Sequence, residues 1–381
     1  MTLITDSSEL KKLCETISKE EYITVDTEFL RDKFYYPKLC LIQIGYEGGE
    51  FAVDPLADDM DLSPLFEIFQ DEKIVKAFHS ARQDIEIILN LSGKIPAPLF
   101  DTQVAAMVCG FGASASYATL VAEIVGKHID KSSRFTDWSR RPLSDKQLDY
   151  ALSDVIYLKY VYLHLKKQLE DTKRESWLDE EMEILTTDST YQVNPEEVWK
   201  KLKPRGSSRR FLGIIKELAK WRELTAQKQN KPKTFTLKDQ VLMEIAAVSP
   251  TTIHELKAVR GTGGLRSSQE TEILGLIDHV MQISEDDLPQ KQKHTKPTKT
   301  SESIIEMLKV LLKSQCAEFN VAEKLVATSE DLNKIASDKT DETRVFKGWR
   351  NEIFGQHARA LLEGKISLSV KDGKTAIITI N

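Results

Sequence analysis

The apolar residues of this chain change period part-way along it, and that change divides the fold. In the first 170 residues, short apolar or alternating runs at 22–26, 39–46, 50–54 and 74–78 are separated by turn-forming residues, which is the signature of consecutive strands. Helical patterns at about 81–91, 101–109, 116–125 and 144–167 interleave with them or follow, so this part reads as α/β. Ser144, with Gln147 three residues on and Pro142 before it, marks the start of the last of these helices as a capping box. Beyond a charged connector at 171–197 the pattern is helical, in two blocks at 198–283 and 301–364. The stretch 284–300 between them is polar, carries two prolines and lacks apolar periodicity, as a linker does. A short tail at 365–381 reads as β around the Asp372–Gly373 turn.

Composition excludes several classes. Apolar content of 41% and charged content of 29% suit a globular chain. The start, M-T-L-I-T-D-S-S-E-L, has neither the basic nor the apolar region of a secretory signal, and no apolar run approaches the ~18 residues of a membrane span. The four cysteines lack C-x-x-C spacing, so neither zinc nor a disulfide framework is indicated. A cytoplasmic location is expected, with no membrane and no obligate protein partner. Net charge is −6, yet between Lys200 and Lys238 thirteen Lys/Arg face only Glu217 and Glu223. A block that one-sided suits a phosphate backbone, although a solvated helix face has the same look.

Three acidic segments stand out in the α/β part. Asp26 and Glu28 lie two apart on a strand and so project from one face. Asp84 sits in the first turn of a helix, where acids also serve as caps. Tyr150 and Asp154 are i and i+4 on a helix, one turn apart. Each has an ordinary structural explanation when taken alone. Four carboxylates converging on one point would need cations between them. An oxygen-only donor set, with no Cys or His, suits Mg²⁺ or Mn²⁺.

The order and spacing of these segments, D-x-E, then Asp84, then Y-x-x-x-D, is the three-motif pattern of the DEDD exonucleases. The surrounding text, V-D-T-E-F-L-R-D-K-F-Y-Y-P-K-L-C-L-I-Q-I-G, H-S-A-R-Q-D-I-E-I-I-L and D-W-S-R-R-P-L-S-D-K-Q-L-D-Y-A-L-S-D-V, closely resembles the ribonuclease D family, of the DEDDy subclass. The resemblance covers essentially the whole chain. It implies a ribonuclease-H-like core with a mixed sheet at 1–170, and 3′→5′ exoribonuclease activity on tRNA precursors and other small structured RNAs. It also implies two divalent metal ions held by Asp26, Glu28, Asp84 and Asp154, with Tyr150 orienting the attacking water. Further candidates for substrate contact are Phe29, Gln43, His79, Trp138, Arg140, Arg141, Arg209 and Arg210. The block at 198–283, with F-T-L-K-D-Q-V-L-M-E-I-A and I-H-E-L-K-A-V-R-G, resembles an HRDC domain, and 301–364 a more divergent copy. G-T-G-G-L-R-S-S at 261–268 lacks the G-K-[ST] ending of a phosphate loop and reads as an interhelical turn. A 3′→5′ exonuclease acting on DNA and a non-catalytic RNA-binding scaffold are the alternative readings.

Overall fold

The computed structural model describes residues 2–130, 136–203, 206, 208–290, 299–337 and 343–380. The chain forms two compact units, one of residues 1–28, 41–187 and 295–381, the other of residues 29–40 and 188–294.

The alternating runs become strands. In order come β1 (Thr2–Ile4), α1 (Ser7–Ile17), β2 (Tyr22–Leu30), β3 (Lys38–Tyr46), β4 (Gly49–Val53), α2 (Ser63–Gln70), β5 (Val75–Phe78), α3 (Arg82–Ser92), β6 (Leu99–Asp101) and α4 (Thr102–Val108). The six strands make one sheet in the order β1-β4-β3-β2-β5-β6. β1 is parallel to β4, and β5 is parallel to both β2 and β6, whereas β3 is antiparallel to β4. The sheet is therefore mixed. β2 and β3 are neighbours joined by residues 31–37, too short a link for a parallel crossover, so they run antiparallel. β1 and β6, three residues each, are too brief to display an alternating pattern and were not anticipated.

Next come α5 (Tyr117–Leu120), which continues into a π-helical turn at Val121–Val125, α6 (Asp145–Ile156) and α7 (Leu158–Thr172). The helix expected at 144–167 is thus two helices that break at Tyr157. Side chains compete for carbonyls at the end of α6: Thr24 donates to Val155 O and Tyr117 to Ser153 O. The expected connector at 171–197 carries a further helix, α8 (Glu175–Thr186).

The second unit contains α9 (Arg209–Gln229), α10 (Lys233–Thr236), α11 (Asp239–Val248), α12 (Ile253–Ala258) and α13 (Ser267–Gln282). Their inward stripes, including Ile215, Leu218, Leu242, Ile245, Ile273 and Ile277, build one apolar core. The glycine-rich 261–268 segment leads from α12 into α13. Residues 29–40 join this unit through Tyr35, whose hydroxyl donates to Glu223 Oε1 at 2.5 Å and accepts from Gln227 Nε2 at 3.1 Å.

The rest of the first unit is α14 (Lys299–Phe319), α15 (Glu323–Val326), α16 (Ser329–Ala336) and α17 (Gly348–Arg350), which runs through a π turn into α18 (Gln356–Leu362). A hairpin of β7 (Ile366–Lys371) and β8 (Lys374–Thr379) closes it, with Asp372 and Gly373 both at positive φ as its two-residue turn requires. Among these helices, α17 packs on α8. Trp349 stacks on Trp177 at 4.6 Å between centroids, Arg174 and Arg350 cover the outer ring faces, and Arg350 also pairs with Glu180 at 2.6 Å and with Glu181. Part of the expected 284–300 linker, residues 291–298, lies outside the described residues.

Candidate active site

Asp26 and Glu28 stand on β2, on the face that also carries Thr24. Behind them Ile23 and Val25 are completely buried and anchor the strand in the core. Asp84 arrives by a different route. β5 ends at Phe78, Ser80 takes a positive φ, and the buried Asp101 carboxylate accepts from the Ser80 and Ala81 amides at 3.0 and 2.8 Å. That turn aims the start of α3 so that Asp84 lies inside, where it accepts a hydrogen bond from the buried Thr27 hydroxyl.

Asp154 and Tyr150 come from α6, whose start is set by the Ser144–Gln147 capping box. The far end is held by two side chains on its otherwise open carbonyls: Thr24 Oγ1 to Val155 O at 3.0 Å and Tyr117 Oη to Ser153 O at 2.9 Å. Gly45 on β3 makes this approach possible. A Cβ there would lie 2.4 Å from Thr24 Oγ1 and 3.2 Å from Val155 Cβ, so any larger residue would push α6 off the sheet.

The outcome is a carboxylate cluster. One oxygen each from Asp26, Glu28 and Asp154 lie within 4.8 Å of one another. Withdrawal from water, then the neighbouring charges of Asp154, Asp84 and Glu28, push the Asp26 carboxyl well above the usual range. Burial raises Asp84 to about 7, against the pull of its Thr27 hydrogen bond. Crowded carboxylates of which Asp26 and Asp84 resist ionising fit a divalent cation, because positive charge between them reverses the penalty.

The other sequence candidates separate. Trp138 is 2% exposed and packs against Tyr150, with ring centroids 6.1 Å apart, so it supports the tyrosine from below the surface. His79 is a structural histidine: Nδ1 bonds Thr102 Oγ1 at 3.0 Å, its ring rests on Tyr117, and burial lowers its pKa. Arg141 is committed to Asp54 by two hydrogen bonds of 2.5 and 2.6 Å, which takes it out of the set of free phosphate contacts. Arg140 is exposed and pairs with Asp137 at 3.3 Å. Phe29 is half-buried on β2, and Gln43 is completely buried on β3. Arg209 bonds Glu285 O and Asp286, and Arg210 bonds the carbonyls of Val280 and Ile283, so both guanidinium groups tie α9 to the chain after α13. Within the basic block, acids from outside it pair with Lys200, Lys216, Lys220 and Arg222, namely Glu197, Glu196 and Asp239. The linear excess of charge is accordingly smaller in three dimensions.

Thr24, Thr27, Asp101 and Tyr117 were missed from the sequence. Thr27 lies inside the D-T-E motif and could have been suspected there, but no local pattern points to Tyr117 or Asp101.

Residues 1–170 match the 3′–5′ exonuclease family and residues 211–277 the HRDC domain. Ribonuclease D of Granulibacter bethesdensis is 43% identical over 381 residues, covering 99% of this chain and 96% of that protein. Ribonuclease D of Bartonella henselae is 43% identical over 377 residues, covering 98% and 93%. Among solved structures, RNase D of Escherichia coli, an exoribonuclease involved in structured RNA processing, matches with a TM-score of 0.81 at 28% identity, covering 95% of this chain and 98% of that one. The catalytic core of RRP6 from Trypanosoma brucei shares the fold, with a TM-score of 0.59 at 24% identity over 74% of this chain and 79% of that chain.

Proposed function

The chain belongs to the ribonuclease D family of 3′→5′ exoribonucleases, and from that premise we propose that Asp26, Glu28, Asp84 and Asp154 hold two divalent cations, Mg²⁺ or Mn²⁺, at which the 3′-terminal phosphodiester of an RNA is hydrolysed. The observation that carries this reading is the meeting of the Asp26, Glu28 and Asp154 oxygens within 4.8 Å, in a donor set without nitrogen or sulfur. Cations held there would supply Lewis-acid stabilisation of the scissile phosphate and lower the pKa of the attacking water. The chain's own groups do the rest. Asp26 and Glu28, fixed by a core strand, and Asp154, fixed by the pinned end of α6, set the ligand geometry before substrate arrives. Tyr150, one turn before Asp154 and backed by Trp138, orients the water. A free tyrosine titrates near pH ~10, so orientation rather than proton abstraction is its role. The products are nucleoside 5′-monophosphates.

The substrates we propose are tRNA precursors and other small structured RNAs, met in the cytoplasm. The HRDC domain supplies a nucleic-acid surface, and in the second unit Phe235, 67% exposed, lies along the chain among the exposed Lys231, Lys233 and Lys238. Aromatic and cationic groups so mixed suit stacking on bases together with phosphate contact. The second helical block reads as a divergent copy of the same module. α9 and α14 each have 21 residues, each ends at an asparagine in the left-handed region, and each leads into a four-residue helix. No described helix is long and apolar enough to cross a membrane.

The test is Mg²⁺-dependent digestion of 3′-extended tRNA, unstructured RNA and single-stranded DNA by the purified protein and by Asp154→Ala. The variant should release no nucleotides while still binding RNA. Undiminished hydrolysis would overturn the metal-site assignment, and a preference for DNA would overturn the substrate.

A further inference from the structure

Among the described residues, Gln43 is the one amide buried with both ends of its carboxamide lacking a protein partner. It is 0% exposed, in a strand whose neighbouring residues Leu41, Ile42 and Ile44 are equally buried and wholly apolar. An unsatisfied buried donor or acceptor costs about 1–3 kcal/mol, so an amide kept here costs stability that a leucine would not.

Its place in the sheet gives the reason. β3 lies between β4 and β2, and on the β4 side Gln43 is paired with the small Ala52. Gly45, two residues on, shares the face of Gln43, and a Cβ at Gly45 would strike Thr24 and Val155. That face is therefore the one that carries Thr24, Asp26 and Glu28 and lies under α6. β2 and β3 run antiparallel, so moving two residues back from Gly45 and two forward from Thr24 brings Gln43 to Asp26.

We propose that Gln43 is a positioning residue of the acidic site, whose carboxamide donates a hydrogen bond to the Asp26 carboxylate when a divalent cation is bound there. This rests on the function proposed above. A ligating carboxylate that also accepts a hydrogen bond has its rotation fixed, and losing such a partner typically weakens metal affinity about 10–100-fold. Gln43 itself touches neither cation nor substrate, which separates this role from the substrate contact expected from the sequence.

The test uses full-length Gln43→Leu, with Gln43→Met as a second variant of different shape, and Asp154→Ala as the control. Mn²⁺ affinity is read by electron paramagnetic resonance titration, and Tm is read in chelator. Both Gln43 variants should keep or raise the chelated Tm, bind Mn²⁺ roughly ten-fold or more weakly, and recover turnover at excess Mn²⁺. If they bind Mn²⁺ like wild type while Asp154→Ala does not, the positioning role fails and the metal site stands. If both lower the chelated Tm, the amide is satisfied within the fold and the role also fails. If Asp154→Ala binds Mn²⁺ like wild type, the metal site itself fails, and the inference with it.

Discussion

Replacing Asp84 by asparagine should make the cation-free protein more stable while destroying its activity. Asp84 is 6% exposed, and burial lifts its carboxyl from 3.8 to about 7. The folded chain therefore holds this proton more tightly than the unfolded chain does. The resulting stability is present below pH ~4 and is lost as pH rises towards 7, where the folded state must carry a poorly solvated charge. Moving a carboxyl from 3.8 to about 7 corresponds to a ceiling of about 4 kcal/mol. Asparagine keeps the oxygen that accepts from Thr27 and never ionises. In chelator, the Tm of Asp84→Asn minus that of wild type should be small near pH 4.5 and grow to a plateau above pH 7. At about 2–4 °C per kcal/mol for a unit of this size, the plateau is at most on the order of 10 °C. Saturating Mg²⁺ should shrink it, because a cation stabilises the ionised wild-type site and finds less at the variant. Differential scanning calorimetry of both proteins across pH, with and without Mg²⁺, measures these Tm differences. A Tm difference that is the same at pH 5 and pH 8 would refute it.

Two further outcomes follow from packing. Gly45→Ala should cost about 1–3 kcal/mol and most of the nuclease activity, since its methyl group meets Thr24 Oγ1 at 2.4 Å and displaces α6; a variant with wild-type kcat and Tm would show that α6 is not held where we place it. Trp349→Ala removes a 4% exposed ring stacked on Trp177 and should cost about 3–5 kcal/mol, seen as a lower Tm and faster proteolysis of the segment after residue 299. Unchanged proteolysis would mean that α14–α18 do not depend on α8 for their order.

Much of the catalytic half was legible because its signals are local. The apolar run at 39–46, the capping box at Ser144 and Gln147, and the i, i+4 spacing of Tyr150 and Asp154 are written within a few residues, and so is the D-x-E pair on β2. Other elements left no such trace. α8 reads as a charged connector because its buried side includes Glu181, whose partners Arg344 and Arg350 lie more than 160 residues away. Arg141 looks like a free phosphate ligand until Asp54, 87 residues earlier, is placed beside it.

The sequence by itself determined the division into an α/β part followed by helical blocks, the exonuclease family and the five residues on which its chemistry is proposed to turn, since periodicity, caps and motif spacing are properties of neighbouring residues. Only the tertiary structure decided which arginines are already paired, that Thr24 and Tyr117 pin the helix carrying Asp154, and that Gln43 is buried without a protein partner on the strand beside Asp26. Those facts depend on which surfaces meet, and a solvated lysine face or a buried glutamine has the same letters wherever it ends up.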